Sequence, residues 1–240
     1  LELMNKEIQI KHHEIILQAD QLSRALYTSS ILARKIIAFS ASRIQEKMID
    51  TDWSSLTKLN NISLPVAEFK ISELLRALGL SNSGENYYII KNTIKEIRGL
   101  GLEIINDKKI YQAYNWFSSV YYNEDIDQIE LTFTPEIGWT LYELKDGYTA
   151  LNLQTIGVFK SFYAFRFYEI ALSWRGMQGR KGNNQGCWWF QMSTDEIRKT
   201  FKIDQNAYSG RINNFTMWVI QKPIEELNRV NSQFKIEYSK

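Results

Sequence analysis

The apolar positions of the chain follow helical and strand periods in an order of elements that occurs twice. Apolar residues three and four apart predict a helix from Ser29 to Met48, whereas alternating residues predict short strands. The first series comprises an arm or strand at 5–17, that helix, an edge strand from Ile62 to Phe69, helices from Glu68 to Leu78 and from Tyr87 to Leu100, and strands at Leu102–Ile105, Ile110–Tyr122 and Gln128–Phe133. This order is typical of a helix-turn-helix followed by a β-hairpin, which is the winged-helix arrangement.

The second series follows a predicted helix near Pro135 to Leu144 and a turn at Gly147. It comprises a central aromatic helix from Leu153 to Trp174, the Gly-rich loop GMQGRKGNNQG, a strand from Cys187 to Met192, a short helix through Phe201, a longer helix from about Tyr208, and a wing strand in FKIEY. The short helix starts with Ser193 and Glu196 in the spacing of a capping box. The same order of elements therefore occurs in both parts of the chain.

The longer helix of the second series supplies a core stripe and an outward polar face. Pro223 is expected to kink or stop this helix, because proline has no amide hydrogen to donate. Its predicted core positions are Ile212, Phe215 and Val219.

The two series also align with each other at an offset of 123 residues. Glu73 and Leu74 correspond to Glu196 and Ile197, and Leu78 and Leu80 correspond to Phe201 and Ile203. Internal duplication of one unit explains four matches at the same place in the same order of elements. We predict an α+β protein of two tandem winged-helix domains, residues 1–148 and 149–240, the second with a truncated wing.

Composition narrows the class of protein. A hydrophobic fraction of 44% and a charged fraction of 23% are ordinary for a soluble globular chain, and a single cysteine excludes an internal disulfide and a Cys-rich zinc site. No signal peptide is recognisable at the start, so a cytoplasmic location is expected. Residues 1–150 hold 16 basic and 20 acidic side chains, whereas residues 151–240 hold 13 and 7. This concentration of positive charge favours nucleic acid as the partner, although solvated surfaces produce similar patterns.

No enzyme is expected from the sequence, and neither a metal nor a cofactor. His12 and His13 are adjacent and point apart, so they cannot form the His-hydrophobe-His metal pair of a nicking initiator. The Gly-rich loop lacks the G-x-x-x-x-G-K-[ST] pattern of a phosphate-binding loop. Arg166 lies on a largely buried helix and is expected to pair with a carboxylate or to donate to carbonyl groups.

Candidate DNA-binding residues lie on the outward face of each predicted recognition helix. Asparagine pairs with adenine and arginine with guanine in the major groove, but a polar solvated helix face is the alternative. In the second domain the candidates are Asn206, Ser209, Arg211, Asn213 and Asn214, while Tyr208 is expected to start the helix and pack. In the first domain they are Lys91, Asn92, Lys95 and Arg98, for which helix-dipole compensation and solubility are alternatives.

Two further basic pairs lie in predicted turns. Lys108 and Lys109 occupy the first hairpin turn, where they form either a wing tip on the DNA backbone or a soluble turn. Arg180 and Lys181 occupy the Gly-rich loop, which is either a flexible phosphate-contacting loop or a linker.

Several motifs resemble those of the iteron-binding plasmid replication initiators, the Rep proteins. The central motif is KSFYAFRFYE, from Lys160 to Glu169, which is followed by the S-x-x-E-I-R helix. The later run resembles the family at Tyr208, Phe215, Pro223, Ile224, Glu226, Leu227 and Asn228, and the first half does so in WFSSVYY, LTFTPEI and LKDGYTALNL. The resemblance spans nearly the whole chain from about Ile15.

The resemblance implies two winged helices on one face of double-stranded DNA, with no catalytic centre. Monomers of such proteins bind direct repeats at a plasmid origin, melt it and recruit a host replication helicase or initiator. Dimers pair mainly through the first domain and bind an inverted repeat to repress their own gene, which contributes to plasmid copy control. The implied location is the bacterial cytoplasm, on plasmid or nucleoid, with no membrane partner.

Three other functions remain open from the sequence. The main alternative is a dimeric winged-helix transcriptional repressor without a replication role. A nickase and a protein-interaction module with exposed aromatic side chains are the others.

The chain departs from the family pattern at two places. Many members carry basic residues after the phenylalanine of the last recognition helix, where this chain has Thr216, Met217 and Trp218. The sequence also ends at Lys240 after one predicted wing strand, so we expect either that the chain is trimmed at this end or that the second wing is short.

Overall fold

A computed structural model describes residues 15–49, 66–105, 111–142, 147–180, 190–231 and 234–238. The strands are β1 (Ile15–Ala19), β2 (Val66–Lys70), β3 (Gly101–Ile105), β4 (Tyr111–Asn115), β5 (Phe117–Asn123), β6 (Gln128–Phe133) and β7 (Tyr148–Asn152). The helices are α1 (Asp20–Ser23), α2 (Ile31–Ile49), α3 (Ile71–Ala77), α4 (Gly84–Ile97), α5 (Pro135–Tyr142), α6 (Leu153–Val158), α7 (Phe162–Arg180), α8 (Thr194–Thr200), α9 (Ile212–Phe215) and α10 (Lys222–Val230). Between α9 and α10 lies a π-helical segment, Thr216–Gln221, which we call the π turn.

The strands of the described residues form three small antiparallel sheets. Strands β2, β6 and β5 form one sheet with β2 at its edge, as the sequence predicted, although Pro65 lies outside the described residues. Strands β3 and β4 form the hairpin of the first wing, with Gly101 opposite Asn115. Strand β1 pairs with β7, so that the described beginning of the chain joins the segment that leads into the central helices.

The predicted strand Ile110–Tyr122 is in fact two strands in two different sheets. Buried Trp116 separates β4 from β5, and its backbone N–H donates to the carbonyl of Leu100 at 3.1 Å. Its own carbonyl accepts from the N–H of Thr134 at 3.1 Å. Because Trp116 bonds to the chain on both sides, the strand changes sheets at this residue.

The predicted central helix is likewise two helices, α6 and α7. Phe159 is extended, with φ −60° and ψ 135°. The N–H groups of Lys160 and Ser161 donate to the Glu226 carboxylate at 2.5 and 3.3 Å instead of continuing the helix. Helix α7 then continues past Trp174 to Arg180, so the beginning of the predicted Gly-rich loop is helical.

Two strands predicted in the second half are absent from the described residues. Phe190 to Met192 has no strand structure, and residues 187–189 of that predicted strand lie outside the description. The tail 234–238 is not a strand either, because its Ile236 bonds to a helix side chain. The Asn228 amide accepts from the Ile236 N–H at 2.8 Å and donates to the Ile236 carbonyl at 2.9 Å.

The internal duplication is visible in the hydrogen bonds that end α3 and α8. The N–H of Leu80 donates to Leu75 at 2.8 Å, and that of Ile203, 123 positions later, donates to Arg198 at 2.9 Å. Gly79 and Lys202 occupy the equivalent left-handed position, with φ of 66° and 51°. Both helices therefore end in the same Schellman turn, and both lead towards the second helix of a helix-turn-helix.

Replacing Gly79 with alanine is expected to lower the free energy of unfolding by about 1 kcal/mol, since a left-handed residue with a Cβ is strained. No atom lies within 4 Å of the added Cβ, so the loss of stability comes from backbone strain and not from a steric clash. Gly84→Ala is the matched control, because that site is equally open but has ordinary helical φ. The control should leave stability unchanged or raise it by up to about 1 kcal/mol in urea unfolding. A neutral Gly79→Ala would contradict the turn.

A buried ionic cluster joins α7 to the first half of the chain. Its members, which we call the central cluster, are Gln18, Tyr27, Arg34, Arg166 and Glu169, all at most 4% exposed. The Glu169 carboxylate accepts from Arg34 at 2.5 Å, from Arg166 at 2.6 Å and from Gln18 at 3.1 Å, and also from the Tyr27 hydroxyl. Arg166 thus pairs with a carboxylate, as expected.

Arg166 also fulfils the second expectation, because it donates to main-chain carbonyl groups. Its guanidinium reaches the carbonyls of Ser23 at 3.1 Å and Ala25 at 2.7 Å. A single side chain of α7 therefore fixes the turn that follows α1, in the first half of the chain. Arg166 is part of the scaffold.

The pKa values of the central cluster reflect burial opposed by charge. Burial by itself raises the pKa of Glu169, but Arg34 and Arg166 outweigh it and hold the pKa below its usual range. Burial raises the pKa of Tyr27 to about 12, against the lowering effect of the same two arginines. The cluster therefore contains a carboxylate and a neutral phenol at pH 7.

Candidate nucleic-acid interface

The turn between α8 and α9 positions the second recognition helix. Arg198 holds this turn by donating to the carbonyls of Asp204 at 3.3 Å and Ala207 at 2.9 Å. Its guanidinium also lies 4.3 Å from the ring centre of Phe215. One buried anchor of the recognition helix and the turn before it are therefore held by the same side chain.

The recognition helix begins at Ile212, not near Tyr208 as the sequence predicted. Tyr208 and Gly210 adopt left-handed backbone conformations, with φ of 63° and 67°, so an α-helix cannot form there. Tyr208 does pack as expected, with its ring edge-on to Phe215 at 5.8 Å. The predicted core position Ile212 is wrong, because this residue is 58% exposed in the first turn.

The helix does not end at Pro223, because the π turn comes before it and α10 continues from it. Phe215, Val219, Ile224 and Leu227 are all buried. Val219 and Ile224 are five residues apart, which in an ordinary α-helix places them about 140° apart around the axis. The wider π turn brings them to the same side, so the core face stays continuous along the whole segment.

The second-domain candidates are all exposed. Arg211, Asn213 and Asn214 are exposed at the start of the recognition helix, and Asn206 and Ser209 are exposed in the turn before it. Asn206 and Ser209 therefore belong to a turn and not to the helix. We call these five exposed polar residues the Asn-rich face.

The first-domain candidates lie on α4 and, for Arg98, directly after it; the buried apolar residues of α4 are Ile90, Ile94 and Ile97. Lys95 and Arg98 are exposed, and Asn92 is half-buried. Ser83 caps the helix by accepting from the N–H of Asn86 at 3.3 Å. The predicted outward register of α4 is thus present.

Lys91 has an intramolecular partner. Its ammonium group donates to Glu124 at 2.8 Å and lies 5.1 Å from the ring centre of Tyr122. The pKa of Glu124 is lowered by this hydrogen bond and by the charges of Lys91 and Lys95. A phosphate contact by Lys91 therefore requires exchange of a carboxylate for a phosphate.

The side chains of the remaining candidates lie outside the described residues. Lys108, Lys109 and Lys181 lie outside the described residues. Arg180 is the last residue of α7, and its side chain is also outside the description.

Two apolar side chains lie beside the Asn-rich face, and the sequence pattern did not identify them as contacts. Met217 is 40% exposed and Trp218 is 51% exposed, although both belong to a helix with a buried core stripe. The sequence showed only that this segment lacks basic residues. Their exposure depends on how the helix is rotated about its axis. The periodicity of the sequence predicted a different rotation, with Ile212 in the core.

In the described part of the chain, no three His, Cys, Asp or Glu side chains are grouped as a metal site. No helix there combines the length and apolar character needed to span a bilayer.

Two family models match the chain in order. The first, described as "Initiator Replication protein, WH1", matches residues 15–172. The second, described as "Initiator Rep protein, WH2", matches residues 193–240. No curated protein matches the sequence.

The fold is similar to that of one solved structure at low sequence identity, and two further structures give lower scores. A Pi initiator protein in complex with iteron DNA has a TM-score of 0.58 and 15% identity, covering 92% of this chain and 88% of that one. Domains 2 and 3 of RctB give a TM-score of 0.40 and 11% identity, covering 74% and 70%. The MSBI1.176 WH1 domain comes from a replication protein isolated from a multiple sclerosis patient. It has a TM-score of 0.30 and 14% sequence identity, and the match covers 60% of this chain and 89% of that one.

Proposed function

This chain belongs to the initiator replication (Rep) protein family, and from that premise we propose that it binds direct repeats at a plasmid origin and starts replication there. The observation that carries the proposal is the repeated helix-turn-helix, in which α3 and α8 end in equivalent turns before α4 and the second recognition helix. Two such units in one chain suit two adjacent major grooves, since a winged helix places one helix in one groove.

The exposed side chains of the two helix-turn-helix units differ, and those of the second unit are suited to sequence-specific DNA binding. Arg211, Asn213 and Asn214 are exposed side chains of the types that pair with guanine and adenine. The first unit supplies Lys95 and Arg98, which suit phosphate oxygens. Base recognition is therefore assigned mainly to the second domain, and backbone positioning mainly to the first.

A footprint on the DNA that flanks the gene tests this proposal. The full-length chain should protect several repeats of one sequence, at a spacing that fits two recognition helices on one side of the duplex. Failure to protect any repeat in that DNA would contradict the proposal.

Arg211→Ala is expected to lower affinity for the protected repeat by about 5- to 150-fold, corresponding to the 1–3 kcal/mol of a good base contact. Affinity for a random duplex of equal length should change by less than about threefold, because no base is read there. Fluorescence anisotropy with both probes measures the two losses. Arg229→Ala is the matched control, since Arg229 is exposed near the other end of the same segment. Equal losses on both probes would reassign Arg211 to a phosphate.

We further propose that dimers of the chain bind an inverted repeat and repress their own gene, while monomers act at the origin and recruit a host replication helicase or initiator. The protein acts on DNA without cleaving it, in the cytoplasm of a bacterial host. An origin-dependent transformation assay separates an initiator from a repressor. Loss of plasmid maintenance with the DNA-binding variant Arg211→Ala supports the initiator, and maintenance without the gene would contradict it.

Incubating supercoiled origin DNA with the protein and a divalent metal tests the proposal that the chain does not cleave DNA. Unchanged DNA is the expected result. Appearance of nicked circles would overturn the proposal.

A further inference from the structure

Met217 and Trp218 form an exposed apolar pair, one turn of helix beyond Asn213 and Asn214. Single exposed apolar residues are common, whereas apolar residues that join into a contiguous exposed patch mark interaction sites. Their exposed fractions are 40% and 51%, while the neighbouring Phe215 and Val219 are fully buried. The pair therefore lies on the side of the helix opposite the core, which is also the side of the Asn-rich face.

The π turn fixes this orientation. Thr216 to Gln221 form the wide turn, and the buried residues on both sides of it keep one core face through Ile224 and Leu227. Because Phe215 and Val219 anchor the helix on either side of the pair, Met217 and Trp218 cannot turn inward without exposing those anchors. Their exposure is therefore built into the packing of the second domain.

Lys222 holds the indole of Trp218. The Lys222 ammonium group lies 3.9 Å from the centre of the Trp218 ring, which is a cation–π contact. One face of the indole is thus covered by a cation, while the rest remains accessible. A side chain held in this way loses little conformational freedom when it binds a partner.

The position and chemistry of the pair suit thymine. The 5-methyl group of thymine is the apolar group on the major-groove edge of an A·T pair, whereas adenine presents N6 and N7 to an asparagine amide. One helix turn advances about 5.4 Å, and successive base pairs are about 3.4 Å apart. The methyl groups within reach therefore belong to base pairs at most about two steps from those that Asn213 and Asn214 contact.

We propose that Met217 and Trp218 contact thymine methyl groups in the major groove, so that the second recognition helix selects A·T pairs by apolar contact as well as by hydrogen bonds. This inference rests on the proposed function, because it concerns the same helix in the same groove. It also gives a role to the segment in which this chain lacks the basic residues carried by many initiators. Apolar base contact replaces phosphate contact there.

Substituting deoxyuridine for thymidine in the protected repeat tests the proposal, because it removes only the methyl group. Each contacted thymine should contribute about fourfold in affinity to the full-length wild-type chain, the value of one buried carbon group. Trp218→Ala and Met217→Ala should each weaken binding to the probe that contains thymine. At the thymine that the replaced side chain contacts, the ratio of the affinities for the thymine and uracil probes should fall close to one. Met217→Leu should retain the preference, which shows that the helix still folds and docks.

Tyr121→Ala is the matched control, because Tyr121 is also 51% exposed but lies on β5 of the first domain. It should keep both affinity and the preference for thymine. The proposal would be overturned if deoxyuridine lowered affinity equally in the wild type and in both alanine variants. It would also be overturned if deoxyuridine lowered the affinity of the wild type at no thymine of the repeat. Unchanged DNA binding by both alanine variants would also overturn it and would point to a protein partner on this surface. Absence of any protected repeat would instead contradict the proposed function.

Discussion

Replacing Glu169 with glutamine is expected to lower the free energy of unfolding by about 3–5 kcal/mol at pH 7. Glu169 is the one carboxylate of the central cluster and is fully buried between the guanidinium groups of Arg34 and Arg166. Glutamine has nearly the same shape but no charge, so two buried cations would lose their counter-ion. Removing one partner of a buried ion pair is costly for this reason, whatever the net value of the intact pair.

The position of the cluster makes the expected effect larger than a local one. Glu169 and Arg166 are on α7, whereas Gln18, Tyr27 and Arg34 come from the first half of the chain. The same contact region includes a bond from the Tyr27 N–H to the Thr200 carbonyl at 3.2 Å, so α8 is also docked there. Loss of the carboxylate is therefore expected to loosen the second helix-turn-helix from the first half of the chain.

The pH dependence gives a second check on Glu169. Its folded pKa lies below the ordinary glutamate value of about 4.3, so its contribution to stability is present above that value. The contribution is lost as the pH falls through the lower folded pKa. The difference in stability between wild type and Glu169→Gln should therefore be constant above about pH 5 and decrease below about pH 4.

Urea unfolding followed by tryptophan fluorescence measures the Glu169→Gln effect, with Glu103→Gln as the matched control. Glu103 pairs with Lys202 across the same two halves of the chain, but its side chain is 24% exposed and that of Lys202 is 35% exposed. A solvent-accessible pair contributes at most about 1 kcal/mol, so the control should be nearly neutral. Similar losses in the two variants would contradict the role of burial.

Raising the salt concentration from 50 to 200 mM is expected to lower affinity for the repeat by about 10³- to 10⁵-fold, if six to ten phosphates are neutralised. Residues 151–240 hold 13 basic and 7 acidic side chains, and the first recognition helix adds Lys95 and Arg98. Each phosphate contact releases condensed counter-ions, so the logarithm of the affinity should fall linearly with the logarithm of the salt concentration.

Variants separate the phosphate contacts from the base contacts. Lys95→Ala should make the slope of that plot shallower by about one unit, because one phosphate contact is lost. Met217→Ala should lower affinity without changing the slope, since a methyl contact releases no counter-ion. A slope near zero for the wild type would remove the electrostatic basis of the DNA proposal and favour a protein-interaction module.

The residues that the sequence identified as the most recognisable are not those assigned to DNA. The KSFYAFRFYE stretch contributes Arg166 and Glu169, which are buried and bind other parts of the chain. Its role is to hold α7 in place, so that the recognition helix beside it is correctly placed. The assigned working surface is the Asn-rich face with Met217 and Trp218, whose sequence contains no strong motif.

Local patterns of residues determine much of the fold. The core stripes of α2 and α4, the capping box at Ser193, the C-terminal position of Gly79 and the extent of β6 all depend on residues close together in sequence. The duplication is also visible in the sequence, because similar residues end α3 and α8 at an offset of 123. Hydrophobic period, capping and turn chemistry act over a few residues, so the sequence expresses them directly.

Other features were decided by contacts between distant residues. The break between α6 and α7 depends on Glu226, more than 60 positions away, and the break between β4 and β5 depends on bonds from Trp116 to Leu100 and Thr134. The start of the recognition helix depends on the left-handed turn held by Arg198, and its rotation depends on the π turn.

The sequence by itself thus determined the repeated helix-turn-helix order and the polar residues available to bind DNA. Only the tertiary structure decided that Ile212 faces solvent, that Lys91 is paired with Glu124, and that Met217 and Trp218 are exposed. The physical reason is that the helical period specifies how often apolar residues recur but not the phase, which is the side of the helix that faces the core. The phase is fixed by the core against which the helix packs, and that core is assembled from both halves of the chain.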